Sequence, residues 1–237
     1  MNRTASFPTV PATVLAVDRT MDVSPHLLKA DDAIAAANRE RWRAANVFAI
    51  NVIGGPGCGK TELISATVQR LILKRRIGIV MADPSTHFDS NRVNHLGDQV
   101  IHLDPGHSQM LSAGHIQTAL NQLILPGLDI LLIENISSLI GPPEIDLGEN
   151  AKVCIFSVAA GEDKAAKFPD VVSCANLVIL NKMDLLSLMP FNTEAFESVV
   201  RRINPSAEIV KISTRTGQGL DDWFDWLSRY VSTGRSG

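Results

Sequence analysis

Short apolar runs alternate along the chain with longer stretches in which apolar residues recur at helical spacing. The apolar runs predict strands at 47–53, 77–82, 99–103, 129–134, 152–158, 177–181 and 208–213. Helices are predicted from 25 to about 46, from 60 to about 73, and over 111–124, 193–203 and 220–231. Strands that are apolar at nearly every position are typically buried on both faces. The alternation therefore predicts an α/β fold of three layers, with helices on both faces of a mostly parallel sheet of about seven strands.

The N-terminal region divides into two parts. Residues 1–24 are rich in Pro, Thr and Ser without a sustained period, which predicts a partly disordered arm. Ser24 and Pro25 then predict a helix start, with Ser24 as N-cap and Pro25 in the first turn. Because no linker or repeat interrupts the chain after this point, we expect one domain over 25–233 that begins with this helix.

Composition narrows the classes of partner. The 237 residues carry a net charge of -3, so no broad basic field favours nucleic acid as a partner. The longest apolar runs are far shorter than a membrane span, and the N-terminus does not resemble a signal peptide. The three cysteines (Cys58, Cys154 and Cys174) form no CxxC pair, which argues against a disulfide framework. We expect a cytoplasmic protein that contacts neither nucleic acid nor membrane.

The segment GGPGCGKT, at 54–61, matches the G-x-x-x-x-G-K-[ST] phosphate loop and lies between a predicted strand and a predicted helix. Its glycines allow backbone N–H groups to surround phosphate oxygens, and the helix N-terminus adds its positive dipole end. Lys60 is expected to reach the β- and γ-phosphates, and the Thr61 hydroxyl to bind Mg²⁺. The predicted phosphate-binding set is Gly54, Gly55, Pro56, Gly57, Cys58, Gly59, Lys60, Thr61 and Glu62. Cys58 is either a small residue whose backbone is used or a reactive thiol whose pKa is lowered by the helix.

The segment NKMD, at 181–184, follows a predicted strand about 120 residues after the phosphate loop and matches the guanine-reading N-K-x-D motif. Asp184 would accept hydrogen bonds from the N1–H and N2–H₂ groups of guanine, a donor pair that adenine lacks. Asn181 and Lys182 would brace this loop. Ser213 and Thr214, after the last strand, fit more loosely a backbone loop that also contacts guanine. GTP is therefore the predicted nucleotide, with ATP as the alternative.

Two acidic residues end predicted parallel strands, where phosphate and metal sites form in such folds. Asp83 is expected to hold Mg²⁺ directly or through water, and Glu134 to meet the water shell of the metal or the γ-phosphate. The alternative for each is a carboxylate that caps the next helix. Together with Lys60 they form the predicted catalytic set. Since no residue is an obvious catalytic base, we expect slow hydrolysis of GTP to GDP and phosphate.

Several longer motifs resemble one family. They are AANRERW at 36–42, ADPSTHFDSNRV at 82–93, IENISSL at 133–139, DLGE at 146–149 and GEDKAAKFPD at 161–170. With the two nucleotide motifs they resemble HypB, a family of P-loop GTPases, related to UreG, that assist nickel insertion during [NiFe]-hydrogenase maturation. The resemblance implies a three-layer P-loop GTPase fold, GTP or GDP with Mg²⁺ as cofactors, and a GTP-dependent homodimer. It also implies maturation proteins such as HypA, or a hydrogenase large subunit, as partners.

The chain departs from the family at its transition-metal site. Gln109 and Met110 stand where the family usually has Cys-His, and Gly141 stands where it has a second cysteine. Gln and Met are poor replacements for thiolate and imidazole, so no nickel or zinc ligand is carried over and binding of either metal is doubtful. Ser137 also replaces a glycine of the switch turn. His107 lies near the lost site, and it is a solvated loop residue, a replacement ligand, or a residue that contacts phosphate or a partner.

These departures leave three hypotheses for the function. The first is a GTPase that acts as a metallochaperone for nickel incorporation. The second is a HypB paralogue that has lost metal transfer and serves as a GTP-dependent scaffold or regulator of cofactor assembly. The third is a GTPase chaperone of another cofactor enzyme, although DLGE and GEDK favour HypB.

Overall fold

The structure is a computed structural model that describes residues 25–82, 98–104, 111–135 and 145–231, with side chains from residue 31 onward. The predicted arm at 1–24 lies outside the described residues, as does the end of the expected domain at 232–233. Among the described residues, no helix combines the length and apolar character needed to cross a membrane.

A single sheet of seven strands forms the middle layer, and every pair of neighbouring strands is parallel. The strands are β1 (Phe48–Gly54), β2 (Ile77–Met81), β3 (Gln99–His102), β4 (Ile130–Glu134), β5 (Ala151–Ser157), β6 (Leu177–Asn181) and β7 (Glu208–Lys211). Their order across the sheet is β3-β2-β4-β1-β5-β6-β7, which places β1 at the centre. This arrangement confirms the predicted α/β fold, and the predicted strand bounds agree with it to within two residues.

The helices are α1 (Pro25–Ala45), α2 (Lys60–Leu71), α3 (Ala113–Leu120), α4 (Lys164–Lys167), α5 (Pro169–Ser173), α6 (Thr193–Ile203) and α7 (Leu220–Val231). The helix predicted over 111–124 was wrong at both ends. It starts after Ser112, whose side chain accepts from the backbone N–H of His115, and it ends at Leu120 with Asn121 as C-cap. Helices α4 and α5 were not predicted because both are too short to show a period, and Pro169 separates them.

The two faces of the sheet are covered by different helices. On one face, α2 and α7 pack through residues such as Leu63 and Trp223 against Ile50 and Ile79. The other face holds two separate apolar clusters. The first cluster includes Trp42 of α1 and Ile116 of α3, and the second includes residues of α4, α5 and α6, such as Phe196. The three predicted layers are therefore present.

Helix α1 is fastened to the loop that carries DLGE. The Trp42 indole donates to the carbonyl of Gly148 at 2.6 Å, and Arg39 makes two hydrogen bonds of 2.6–2.7 Å to Asp146. Gly148 has φ 92°, and a Cβ there would lie 2.5 Å from the carbonyl oxygen of Ala35, so this approach requires glycine. Two of the motifs that carry the family resemblance, AANRERW and DLGE, thus contact each other.

Candidate functional site

The predicted nucleotide motifs converge at the carboxyl end of the sheet. The phosphate loop follows β1, Glu134 ends β4, the NKMD segment follows β6, and the loop at 213–219 follows β7. Because all four strands are parallel, the segments that follow them leave the same edge, where ligands bind in open α/β sheets.

The phosphate loop depends on two glycines with positive φ. Gly57 has φ 66° and Gly59 has φ 102°, and Lys60 begins α2 directly after Gly59. A Cβ at Gly57 would meet no atom within 4 Å, whereas a Cβ at Gly59 would overlap the amide nitrogen of Asn181. Gly57 therefore borders open space, while Gly59 is enclosed by Asn181, the last residue of β6.

Lys60 and Thr61 bring the loop into contact with β1 and β4. The ammonium group of Lys60 is buried and donates to the carbonyl of Gly54 at 3.1 Å. The Thr61 hydroxyl donates to the Oε1 atom of Glu134 at 2.6 Å, and Glu134 is itself buried. Hydroxyl and carboxylate oxygens are the ligands that Mg²⁺ prefers, so these residues fit a hard cation. Glu62, on the first turn of α2, has an exposed side chain.

Asn181 joins three segments with one side chain. Its amide nitrogen donates to the carbonyl of Cys58 at 2.9 Å. Its oxygen accepts from the backbone N–H groups of Lys182, at 2.7 Å, and Thr214, at 3.1 Å. Lys182 has φ 63°, which turns the chain sharply after β6. The phosphate loop and the two predicted base-contacting segments are consequently held in one fixed arrangement.

Asp184 is positioned by the loop after β7. The Ser213 hydroxyl donates to its Oδ1 atom at 2.6 Å, and the guanidinium group of Arg215 lies 3.9 Å from Oδ2. The carboxylate keeps 16% side-chain exposure, so a ligand can reach it. An ionised carboxylate only accepts hydrogen bonds, which suits it to the paired donors on the edge of guanine.

Cys58 has a buried side chain beneath the phosphate loop. Burial raises the pKa of its thiol, even though the nearby Lys60 lowers it. A Cβ at Gly54 would lie 2.5 Å from the Cys58 sulfur, so the thiol fills the space under that glycine. These observations favour the interpretation in which Cys58 contributes its backbone, including the carbonyl that Asn181 binds, over a reactive thiolate.

Several residues that the sequence singled out lie outside the described residues. They are Asp83, His107, Gln109, Met110, Ser137 and Gly141. Their roles as magnesium ligand, as departures from the transition-metal site, or as part of the switch turn stay predictions. Within the described ranges, no group of three or more His, Cys, Asp or Glu side chains could hold a metal ion.

Three buried or partly buried polar residues near the site were not predicted from the sequence to belong to it: Asn51, Asn135 and Glu149. Asn51, in the central strand, contacts both Glu149 and Asn135 through its side chain. A signal was available, because Asn51 is the only polar residue in the run VFAINVI. Its partners, however, lie 84 and 98 positions away along the chain.

Comparison with known proteins gives consistent matches. The family described as "CobW/HypB/UreG, nucleotide-binding domain" matches residues 48–211. The hydrogenase maturation factor HypB of Azotobacter vinelandii is 36% identical over 219 residues, covering 92% of this chain and 72% of that protein. The crystal structure of HypB from Archaeoglobus fulgidus superposes with a TM-score of 0.81 at 32% identity, covering 86% of this chain and 99% of that one. HypB from Helicobacter pylori, solved in complex with nickel, gives a TM-score of 0.80 at 26% identity, covering 87% and 98%.

Proposed function

This chain belongs to the HypB branch of the CobW/HypB/UreG nucleotide-binding family, and from this premise we propose that it binds and hydrolyses GTP as an accessory protein of [NiFe]-hydrogenase maturation. The observation that carries the proposal is the junction at Asn181, which ties the phosphate loop to the predicted base-contacting loops. Asp184 is held beside that junction by Ser213. We further propose that the protein is cytoplasmic and forms a GTP-dependent homodimer. Its proposed partners are HypA or a hydrogenase large subunit.

In this proposal the phosphates bind over Gly57, where open space and the N-terminus of α2 adjoin. Residues 54–62, apart from Pro56, supply backbone N–H groups, and Lys60 neutralises charge on the β- and γ-phosphates. Thr61, with Asp83, would hold Mg²⁺, which supplies charge stabilisation to the transferring phosphoryl group when bound. Glu134, within hydrogen-bonding distance of Thr61, would orient the water shell on that side.

Selectivity for guanine is assigned to Asp184. Its carboxylate would accept from N1–H and N2–H₂ of guanine, while adenine would leave it without those donors. A hydrogen bond to a charged group contributes about 1.5–3 kcal/mol, so the loss of one such bond should weaken binding by about 10- to 150-fold. Lys182, Ser213 and Thr214 are proposed to surround the base.

The test measures binding of fluorescent GTP and ATP analogues, together with phosphate release. Wild-type protein is expected to prefer GTP, and Asp184→Asn to lose most of that preference because an amide presents a donor to N1–H. Lys60→Ala should abolish binding that depends on the phosphates, while Lys167→Ala, a surface lysine paired with Asp163, serves as the matched control. Equal affinity of the wild type for both nucleotides would refute the base-reading assignment.

A second candidate function is a HypB paralogue without metal transfer, acting as a GTP-dependent scaffold or regulator. The observation that favours it is the pair Gln109 and Met110 at the positions where the family usually has Cys-His. Both candidates share GTP binding, so metal titration distinguishes them.

A further inference from the structure

A polar seam separates the two apolar clusters on the face of the sheet opposite α2. We define it as Asn51, Asn135, Glu149 and Lys152. Asn51 and Lys152 are register partners on the adjacent strands β1 and β5 and face the same side. The seam lies between the cluster of α1 and α3 and the cluster of α4, α5 and α6. Polar side chains placed between two apolar clusters are costly to bury unless they bind one another.

Glu149 is the charged centre of the seam, with a side chain that is 3% exposed. One carboxylate oxygen accepts from Asn51 at 3.1 Å and lies 3.5 Å from the ammonium group of Lys152. The other oxygen accepts from the backbone N–H of Leu147 at 2.7 Å. Lys152 also donates to the carbonyl of Ile145 at 3.0 Å. The buried charge therefore has a counter-ion and hydrogen-bond donors, as burial of a carboxylate requires.

The carboxylate determines the orientation of the Asn51 amide. Because an ionised carboxylate only accepts, the NH₂ group of Asn51 must face Glu149 and its oxygen must face the other way. That oxygen accepts from the side-chain NH₂ of Asn135 at 3.0 Å, while the Asn135 backbone N–H donates to Val52 at 3.0 Å. Asn135 is thus fixed to β1 by its backbone and by its side chain.

We propose that Asn51, oriented by Glu149, is a positioning residue for the carboxyl end of β4. Asn135 directly follows Glu134, whose carboxylate accepts from Thr61 at the phosphate loop. Holding Asn135 against β1 sets the place at which β4 ends, and hence the position of Glu134 relative to Thr61. This inference rests on the proposed hydrolysis of GTP and assigns to the DLGE segment a role in turnover in addition to its contacts with α1.

The experiment compares kcat for GTP and the dissociation constant of GTP in wild type, Asn51→Ala, Asn135→Ala and the double variant. Each single variant should lower kcat about tenfold, since small misplacements of reacting groups cost one to two orders of magnitude. Affinity for GTP should stay within about twofold, because the phosphate loop and Asp184 are untouched. The double variant should be no slower than the slower single variant, since both changes interrupt one chain of contacts.

Two further comparisons separate positioning from loss of stability. Glu149→Gln changes the seam without leaving a cavity, but it replaces one of the two accepting oxygens by an NH₂ group, so the side chain can no longer accept from both Asn51 and Leu147. Its kcat should therefore fall about as far as that of Asn51→Ala. Asn204→Ala is the matched control, since Asn204 is also buried and donates to three backbone carbonyls between 172 and 175, at the opposite end of the sheet. It should lower thermal stability without changing kcat.

The outcomes distinguish this inference from the function on which it rests. The positioning role would be overturned, with GTP hydrolysis intact, by an unchanged kcat in Asn51→Ala or by an equal fall of kcat in Asn204→Ala. It would also be overturned if kcat of the double variant fell by the product of the two single losses. If Asn51→Ala does not fold, Asn135→Ala and Glu149→Gln decide, and an unchanged kcat in both variants overturns the role. Absence of hydrolysis by wild-type protein would refute the proposed function itself, and this role with it.

Discussion

Replacing Gly59 with alanine is expected to destabilise the folded protein, whereas the same change at Gly57 should leave folding nearly intact. At Gly59, φ of 102° is unfavourable for any L-residue, and the new Cβ would overlap the Asn181 amide nitrogen. Displacing that amide would break its hydrogen bond of 2.9 Å to Cys58. Backbone strain costs roughly 1–2 kcal/mol and a lost buried hydrogen bond roughly 1–3 kcal/mol, so the free energy of unfolding should fall by about 2–5 kcal/mol.

Gly57 provides the matched comparison within the same loop. Its φ of 66° lies in the left-handed region, and a Cβ would meet no atom within 4 Å. Only the strain remains, roughly 1–2 kcal/mol. For a domain of this size each kcal/mol shifts the unfolding midpoint by about 2–4 °C. We therefore expect a fall of about 4–20 °C for Gly59→Ala and of about 2–8 °C for Gly57→Ala.

The assay is thermal unfolding by circular dichroism without nucleotide, followed by titration with a fluorescent GTP analogue well below both midpoints. Both variants should bind GTP more weakly, because a methyl group at Gly57 would occupy the space proposed for the phosphates. Gly59→Ala should lose clearly more stability than Gly57→Ala. Equal shifts of the midpoint in the two variants would refute the reasoning that Asn181 encloses Gly59.

Three further predictions follow from the site and from the anchoring of α1. Burial tends to raise the pKa of Asp146, but hydrogen bonds from Arg39 and Gly148 outweigh it and hold that pKa below its usual value. The ion pair of Asp146 and Arg39 therefore stabilises the fold above the unfolded pKa of an aspartate, about 3.9, and this stabilisation is lost as pH falls through the folded pKa of Asp146. Arg39→Met should reduce the loss of stability between pH 5 and pH 3 in acid titrations, by less than about 1 kcal/mol because the pair is partly exposed. Maleimide labelling of the native protein should modify the half-buried Cys174 before the buried Cys58 and Cys154, because burial raises the thiol pKa of both buried residues. Mass spectrometry identifies the labelled residue, and early labelling of Cys58 would contradict this expectation. Calorimetry should detect no stoichiometric submicromolar Ni²⁺ or Zn²⁺ site, with or without a non-hydrolysable GTP analogue, and such a site would restore the metallochaperone hypothesis.

The nucleotide motifs were predictable because their chemistry is local. Eight consecutive residues specify the phosphate loop, and an apolar run before Asn181 specifies a strand that ends at the segment proposed to read guanine. Parallel topology then requires that both leave the same edge of the sheet. Helix ends were less predictable: α3 covers only Ala113–Leu120, between the Ser112 N-cap and the Asn121 C-cap, although apolar residues recur as far as Leu125.

The sequence by itself determined the layered α/β fold and the phosphate loop and predicted a base-reading segment, since each depends on periodicity or on residues adjacent in the chain. Tertiary structure alone decided which distant groups meet. Asn181 reaches Cys58 across 123 positions, and Asn51 reaches Glu149 across 98. No local pattern identifies the partner in either contact, because a buried amide gains its partners only when packing of the apolar faces brings separate strands and loops together. The junction that holds the nucleotide loops and the seam beside it are therefore properties of the folded sheet.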